Sequence, residues 1–265
     1  MATQAGANTG EGAVYEVHQI AKSYNGRYAL APTSIEISPG EKIAIVGPSG
    51  SGKTTLLHIL SGVTKPDSGD VKLNGSSLSD LGPGRKLSKL VGVIHQQYDL
   101  VPQLSVLHNV LAGRLGQWST LRSLVSLVWP QERTAAMQAL ERVGIAEKSG
   151  ERTSHLSGGE QQRVAIARLL LQDPEIIVAD EPVSSLDPAR ADDLMGMLAG
   201  IADDSGKTLI AGMHSMELAR TYFDRIIGLR NGESQFDLPI DWLTEAMLEE
   251  LYELEGLRDE SNDGQ

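Results

Sequence analysis

The chain has 265 residues, no cysteine, and only 4 % aromatics against 28 glycines. At roughly 150 residues per domain that length suits one large or two small domains, and it buries an ample core without cross-links. The missing cysteine excludes disulfides, thiolate zinc sites and cysteine nucleophiles. Charge sums to −12 from 23 basic and 35 acidic residues, and it gathers at the end: from Asp241 onward nine carboxylates stand against one base, Arg258. At the level of net charge there is no basic field for nucleic acid.

Residues 1–13 are small and polar and read as a disordered leader, without the basic and apolar stretches of a secretory signal. No apolar run approaches the roughly 20 residues of a membrane span, so a soluble, cytoplasmic protein is expected. Val14–Tyr24 and Tyr28–Ile37 flank Asn25-Gly26, a pair suited to the positive φ angles of a tight hairpin. After a turn at Ser38-Pro39-Gly40, Lys42–Val46 reads as a buried strand, and Thr54–Ser61 as a helix. A second hairpin is expected around Asp70–Leu73 with Asn74-Gly75 as its turn, then a strand at Leu90–His95. From Tyr98 to Gln172 the pattern is mostly helical, with Ala135, Leu140, Val143 and Ile145 as apolar positions and Gln161–Leu171 as a helical run. Strands return at Glu175–Ala179 and Thr208–Met213. Leu243, Met247, Leu251 and Leu254 then line one face of an acidic C-terminal helix, which is expected to pack on its own domain.

Chemistry concentrates in three places. Gly47-Pro48-Ser49-Gly50-Ser51-Gly52-Lys53-Thr54 is a full phosphate-loop pattern between a strand and a helix. Its glycines let backbone amides converge on phosphate oxygens at the positive end of the helix, Lys53 adds a point charge, and the Thr54 hydroxyl can ligate Mg²⁺. Ile176–Ala179 delivers two carboxylates, Asp180 and Glu181, to a strand end, where one can hold Mg²⁺ and the next can orient or deprotonate a water. These two features fit many nucleotide hydrolases. The third, Leu156-Ser157-Gly158-Gly159-Glu160-Gln161-Gln162-Arg163, places a serine and two glycines at another helix start, a second anion site by the same amide logic. Read plainly, Ser157 caps that helix. Two phosphate-binding helix starts more than 100 residues apart suggest that one site completes the other across a dimer.

The order phosphate loop, Leu156–Arg163 segment and Val178-Ala179-Asp180-Glu181-Pro182 resembles the ATPase subunit of an ABC transporter over residues 14–255. The resemblance implies an α/β fold: a P-loop NTPase core of parallel sheet and flanking helices (14–96 and 173–240), with a small antiparallel β subdomain. It also implies an inserted α-helical subdomain carrying the signature (97–172), and leaves 241–265 as an acidic C-terminal helix and tail. Catalytic roles fall on Glu181, His214, Lys53 and Gln96, although Gln97 is adjacent to the last. ATP contacts fall on Tyr24, though an ordinary strand tyrosine would look the same, and on Gly47, Pro48, Ser49, Gly50, Ser51, Gly52, Lys53, Thr54 and Thr55. On the partner's side they fall on Ser157, Gly158, Gly159, Glu160 and Asp187, the last in the loop Ser185-Leu186-Asp187. Thr54, Gln96 and Asp180 would hold Mg²⁺. Two departures are mild: Glu160 stands where Gln is commoner, and His95 where an aromatic ring is more usual.

The resemblance further implies ATP-driven transport by a head-to-tail homodimer. The dimer would dock on separate transmembrane permease subunits at the cytoplasmic face of the inner membrane, indirectly served by a substrate-binding protein and using no nucleic acid. The run from Gln96 through Leu124, with Val183-Ser184-Ser185, is closest to the ATPases of phosphonate importers. Phosphite, phosphate, another solute, or a non-transport ABC ATPase remain alternatives.

Overall fold

Turn chemistry sets the first sheet. β1 (Tyr15–Tyr24) and β2 (Arg27–Ile37) meet at Asn25-Gly26, where φ is +52° and +76°, as the hairpin requires. β3 (Lys42–Val46) belongs to the second sheet, and α1 (Lys53–Leu60) follows it. β4 (Ser68–Leu73) and β5 (Ser76–Ser77) turn at Asn74-Gly75, giving a four-stranded antiparallel sheet in the order β2-β1-β4-β5. This computed structural model describes residues 12–82, 84–95, 99–119, 125–126, 131–184 and 186–252. The leader therefore lies outside the described residues except at its end, as do Gln96, Gln97, Ser185 and Leu254.

Short helices α2 (Leu78–Leu81) and α3 (Arg85–Leu90) lead to β6 (Val91–Ile94). After α4 (Val106–Leu111), α5 (Arg133–Arg142) and α6 (Gly158–Gln172) come β7 (Ile176–Asp180), α7 (Pro188–Ser205), β8 (Thr208–Gly212) and α8 (Met216–Tyr222). β9 (Arg225–Arg230), β10 (Glu233–Pro239) and α9 (Glu245–Tyr252) finish the described chain. The second sheet runs β10-β9-β3-β8-β7-β6, parallel throughout except where β10 lies antiparallel to β9.

Both faces of its central strands are covered, which is why β3, β7 and β8 carry continuous apolar runs rather than alternating ones. Ile43, Ile45, Val178 and Ile210 point into a core shared with β1, β2, β4 and α1. Ala44, Val46, Ile177 and Ala211 point the other way, into a core shared with α4, α5, α6, α7 and α8. From α9, Leu251 joins the second core and Met247 and Leu248 pack against it, so the acidic helix does lie on its own domain.

Over 99–172 most described residues are helical, in three α-helices. Between the helices run loops and single 3₁₀ turns at Ala112–Arg114, Ala146–Lys148 and Thr153–His155. Asn109, buried on α4, holds the loop before its helix: Oδ1 accepts the Val101 amide at 2.7 Å, and Nδ2 donates to the Val101, Leu104 and Ser105 carbonyls. A side chain that satisfies loop carbonyls does for that segment what helix bonds would otherwise do. Among the described residues no helix is long and apolar enough to cross a membrane.

Candidate functional site

The phosphate loop links β3 to α1, and its backbone leaves no choice of residue at two points. Gly47 has φ +148° and Gly52 φ +106°; a Cβ on the first would run into the Leu229 carbonyl, and on the second would sit 2.5 Å from the Ala29 oxygen. The loop is also tied from outside, by the Gly232 amide donating to the Ser51 carbonyl at 3.0 Å. Tyr252 on α9 lies near the loop: burial pushes its ionisation up, and the neighbouring Gly47 amide works against that.

α1 has no side-chain cap and no acidic residue in its first turn. Its leading amides therefore face the loop unpaired with any side chain, a ready anion site. Lys53 is buried and its ammonium donates to the Gly47 and Pro48 carbonyls at 2.9 and 3.1 Å. Burial pushes its pKa down, while the charges of Glu181 and Asp180 work against that. Ser51 is buried too, and its hydroxyl has no hydrogen-bond partner among the described residues. A buried ammonium, an orphan hydroxyl and free helix amides fit a polyphosphate.

Thr54 Oγ1 donates to Asp180 Oδ1 at 3.2 Å across 126 residues of sequence. Among the described residues no cluster of three or more His, Cys, Asp or Glu converges. One hydroxyl and one carboxylate suit Mg²⁺, which dehydrates reluctantly and usually takes its remaining ligands from water and substrate phosphates.

Glu181 follows the end of β7 with φ +49°, a strained setting for a non-glycine residue. Its amide donates to the Gly212 carbonyl of β8 at 3.2 Å, and its carbonyl accepts the Ser184 amide and hydroxyl. The turn aims the carboxylate at the loop between β8 and α8, where His214 Nε2 lies 2.5 Å from Oε1. Glu181 lines two cavities at once. One, of about 410 Å³, is bounded by Tyr24, Ala29 and the phosphate loop from Ser49 to Thr55. The other, of about 490 Å³, is bounded by Val183, Leu186, Met213, His214 and Leu218. Tyr24 is half exposed at the first cavity's rim, with the Lys22 ammonium 5.6 Å from its ring centre and Asp67 holding that ammonium at 2.6 Å.

The signature segment stands apart from this assembly. Ser157, Gly159, Glu160, Arg163 and Arg190 line a separate cavity of about 210 Å³ at the start of α6. There Glu160 Oε2 accepts both the Ser157 amide and the Ser157 hydroxyl at 2.8 Å, closing a capping box. Asp187 caps α7 by accepting the Arg190 amide at 3.2 Å. So the structure brings Tyr24, Lys53, Thr54, Asp180, Glu181 and His214 together, and leaves Ser157, Gly158, Gly159, Glu160 and Asp187 elsewhere. Gln96 lies outside the described residues. Sequence reasoning missed Ala29, Gly232 and Tyr252; of these only Gly232 had a signal, the hairpin pair Asn231-Gly232.

Loop, uncapped helix and strand-end carboxylates define a phosphate-loop nucleotide-binding protein of the α/β class. A family model described as ABC transporter matches residues 30–184. Over 231 residues the chain is 43 % identical to the phosphonates import ATP-binding protein PhnC of Pseudomonas putida, covering 86 % of each. With a phosphonates import ATP-binding protein PhnC 1 of Nostoc it shares 44 % over 241 residues, covering 89 % of this chain and 91 % of that one. Its fold matches the ATP-binding cassette MJ0796, solved as a dimer in a post-hydrolysis state bound to ADP and Pi, with TM-score 0.73 and 32 % identity over 85 % of this chain and 98 % of that one. The chain belongs to the ABC transporter family, as an ATPase subunit.

Proposed function

We propose that this chain hydrolyses ATP to drive the import of phosphonates, as a homodimer docked on separate permease subunits at the cytoplasmic face of the inner membrane. The cargo follows from the names that its curated relatives carry. The observation that carries the ATPase chemistry is Glu181, held in a strained turn against His214 while lining the phosphate-loop cavity.

In this reading Tyr24 stacks on the adenine, and Lys53 leaves its two carbonyls to hold the β- and γ-phosphates. The loop amides and the Ser51 hydroxyl complete the cradle. Thr54, Asp180 and Gln96 hold Mg²⁺, which neutralises phosphate charge when bound. Glu181 orients and deprotonates the attacking water, and His214 fixes both that carboxylate and the γ-phosphate edge. Ser157, Gly158, Gly159, Glu160 and Asp187 of a second copy close the site. Each half is separate on its own chain, so hydrolysis depends on closure, and closure moves the permease.

Glu181→Gln keeps its shape and loses its basicity. It should retain ATP binding, lower kcat by about 10²- to 10³-fold, and elute as a dimer with Mg-ATP in size-exclusion chromatography. Normal turnover would remove Glu181 from its role. For the cargo, a host lacking its own phosphonate-uptake ATPase should grow on a phosphonate as sole phosphorus source when given this chain with its permease. The Glu181→Gln chain should fail there and still grow on phosphate. Equal growth of both strains on phosphonate would withdraw the cargo assignment.

A further inference from the structure

The segment that begins α6 carries a feature that its assigned role does not explain. A carboxylate, Glu160, sits in the first turn of a helix whose start is meant to receive phosphate. One of its oxygens takes the Ser157 amide and hydroxyl, so the proton that Ser157 would offer to a nucleotide is given to its own helix. A bare negative charge at that place would also repel the incoming polyphosphate.

Lys148 answers both problems. It ends the 3₁₀ turn Ala146–Lys148, is fixed there by its amide donating to the Ile145 carbonyl at 3.1 Å, and places its ammonium 2.5 Å from the other oxygen of Glu160. The remaining charges facing Lys148 are the carboxylates of Glu147 and Glu151, so it is held charged. The two arginines that line the same cavity are engaged elsewhere, Arg163 with Asp193 at 2.6 Å and Arg190 with Asp187 at 3.3 Å. Among the described residues, Lys148 is the cation paired with Glu160.

We infer that Lys148 is a positioning residue for nucleotide binding: it neutralises Glu160 and draws its charge away from Ser157, so that the Ser157 hydroxyl can turn to a phosphate. This rests on the proposed role of the α6 start as the closing half of the ATP site. Glu160 and Lys148 then form one unit, in which the lysine is needed only because the carboxylate is there.

The test is a charge-rescue series on the full chain, read as steady-state ATPase. Lys148→Met keeps the side-chain stem, and should raise KM for ATP about tenfold with kcat within about twofold of wild type. Lys148→Arg should stay near wild type. Adding Glu160→Gln to Lys148→Met should lower KM several-fold relative to Lys148→Met alone, because the charge that needed cancelling is gone. The Lys148→Met defect should also shrink between low and high salt, since an exposed repulsion is screened. A KM for Lys148→Met within twofold of wild type overturns the inference. So does a defect that Glu160→Gln leaves in place, which would make Lys148 a structural tie and no more. Absence of turnover in the wild-type chain is a different failure, and it strikes the ATPase reading instead.

Discussion

Two helix starts in this protein are proposed to receive phosphate, and they are built in opposite ways. The phosphate loop before α1 is finished in advance: no side chain caps it, its lysine is buried, and Gly47 and Gly52 are pressed against neighbouring backbone. The signature start of α6 is capped by its own Glu160 and opens to solvent, and a Cβ at Gly158 would meet nothing within 4 Å. One is a fixed receptor. The other, in the proposed function, would give up internal bonds before it binds, a difference that suits a half-site completed by a second chain.

The contrast breaks first at its rigid side. Gly47→Ala should cost at least about a hundredfold in ATP affinity, because the Cβ meets the Leu229 carbonyl and the φ angle is unfavourable; binding of a fluorescent ATP analogue measures it. A variant that binds normally would mean the loop has room that its geometry denies. Thr54→Val removes the bond to Asp180 and should raise the Mg²⁺ concentration for half-maximal ATPase by about tenfold, with nucleotide binding in EDTA little changed.

Effects at the open side should be smaller. The Lys148 ammonium and the Ser157 bonds hold the Glu160 carboxyl at about 2. Its contribution to stability is therefore full above the usual carboxylate range and is lost as pH falls through about 2. Glu160→Gln should be less stable than wild type in denaturant titrations at pH 6, and the two should converge near pH 2. Smallest of all, Gly158→Ala should leave the melting temperature of the free chain within about 1 °C, since no neighbour is displaced. A large drop would show that the α6 start is as tightly built as the phosphate loop.

What the sequence made legible follows how local each signal is. The hairpins at Asn25-Gly26 and Asn74-Gly75 were readable because two adjacent residues set the turn, and β3 and β7 because both faces of their sheet are buried. The same signal went unread at Asn231-Gly232, and with it β9 and β10. Asp187-Pro188 likewise marks a helix start, yet the 18 residues of α7 were passed over. Other features have no local signature at all. Lys148 reaches Glu160 through two irregular turns, and the loop from Val101 to Ser105 is held by Asn109 and by Thr153, 44 residues further on. In the segment after Asp241 the apolar stripe was legible beneath the acidic charge, and its Leu251 is buried in the core.

That last segment has a consequence for the order in which the protein comes into being. The phosphate loop is synthesised well before the segments that back it. Its backing comes from far downstream: Leu229 against Gly47, Gly232 bonded to Ser51, and last Tyr252 near the Gly47 amide. A growing chain on the ribosome thus carries the nucleotide loop long before the residues that set its shape have emerged. The loop takes its final shape only once the strands that carry Leu229 and Gly232 can fold against it.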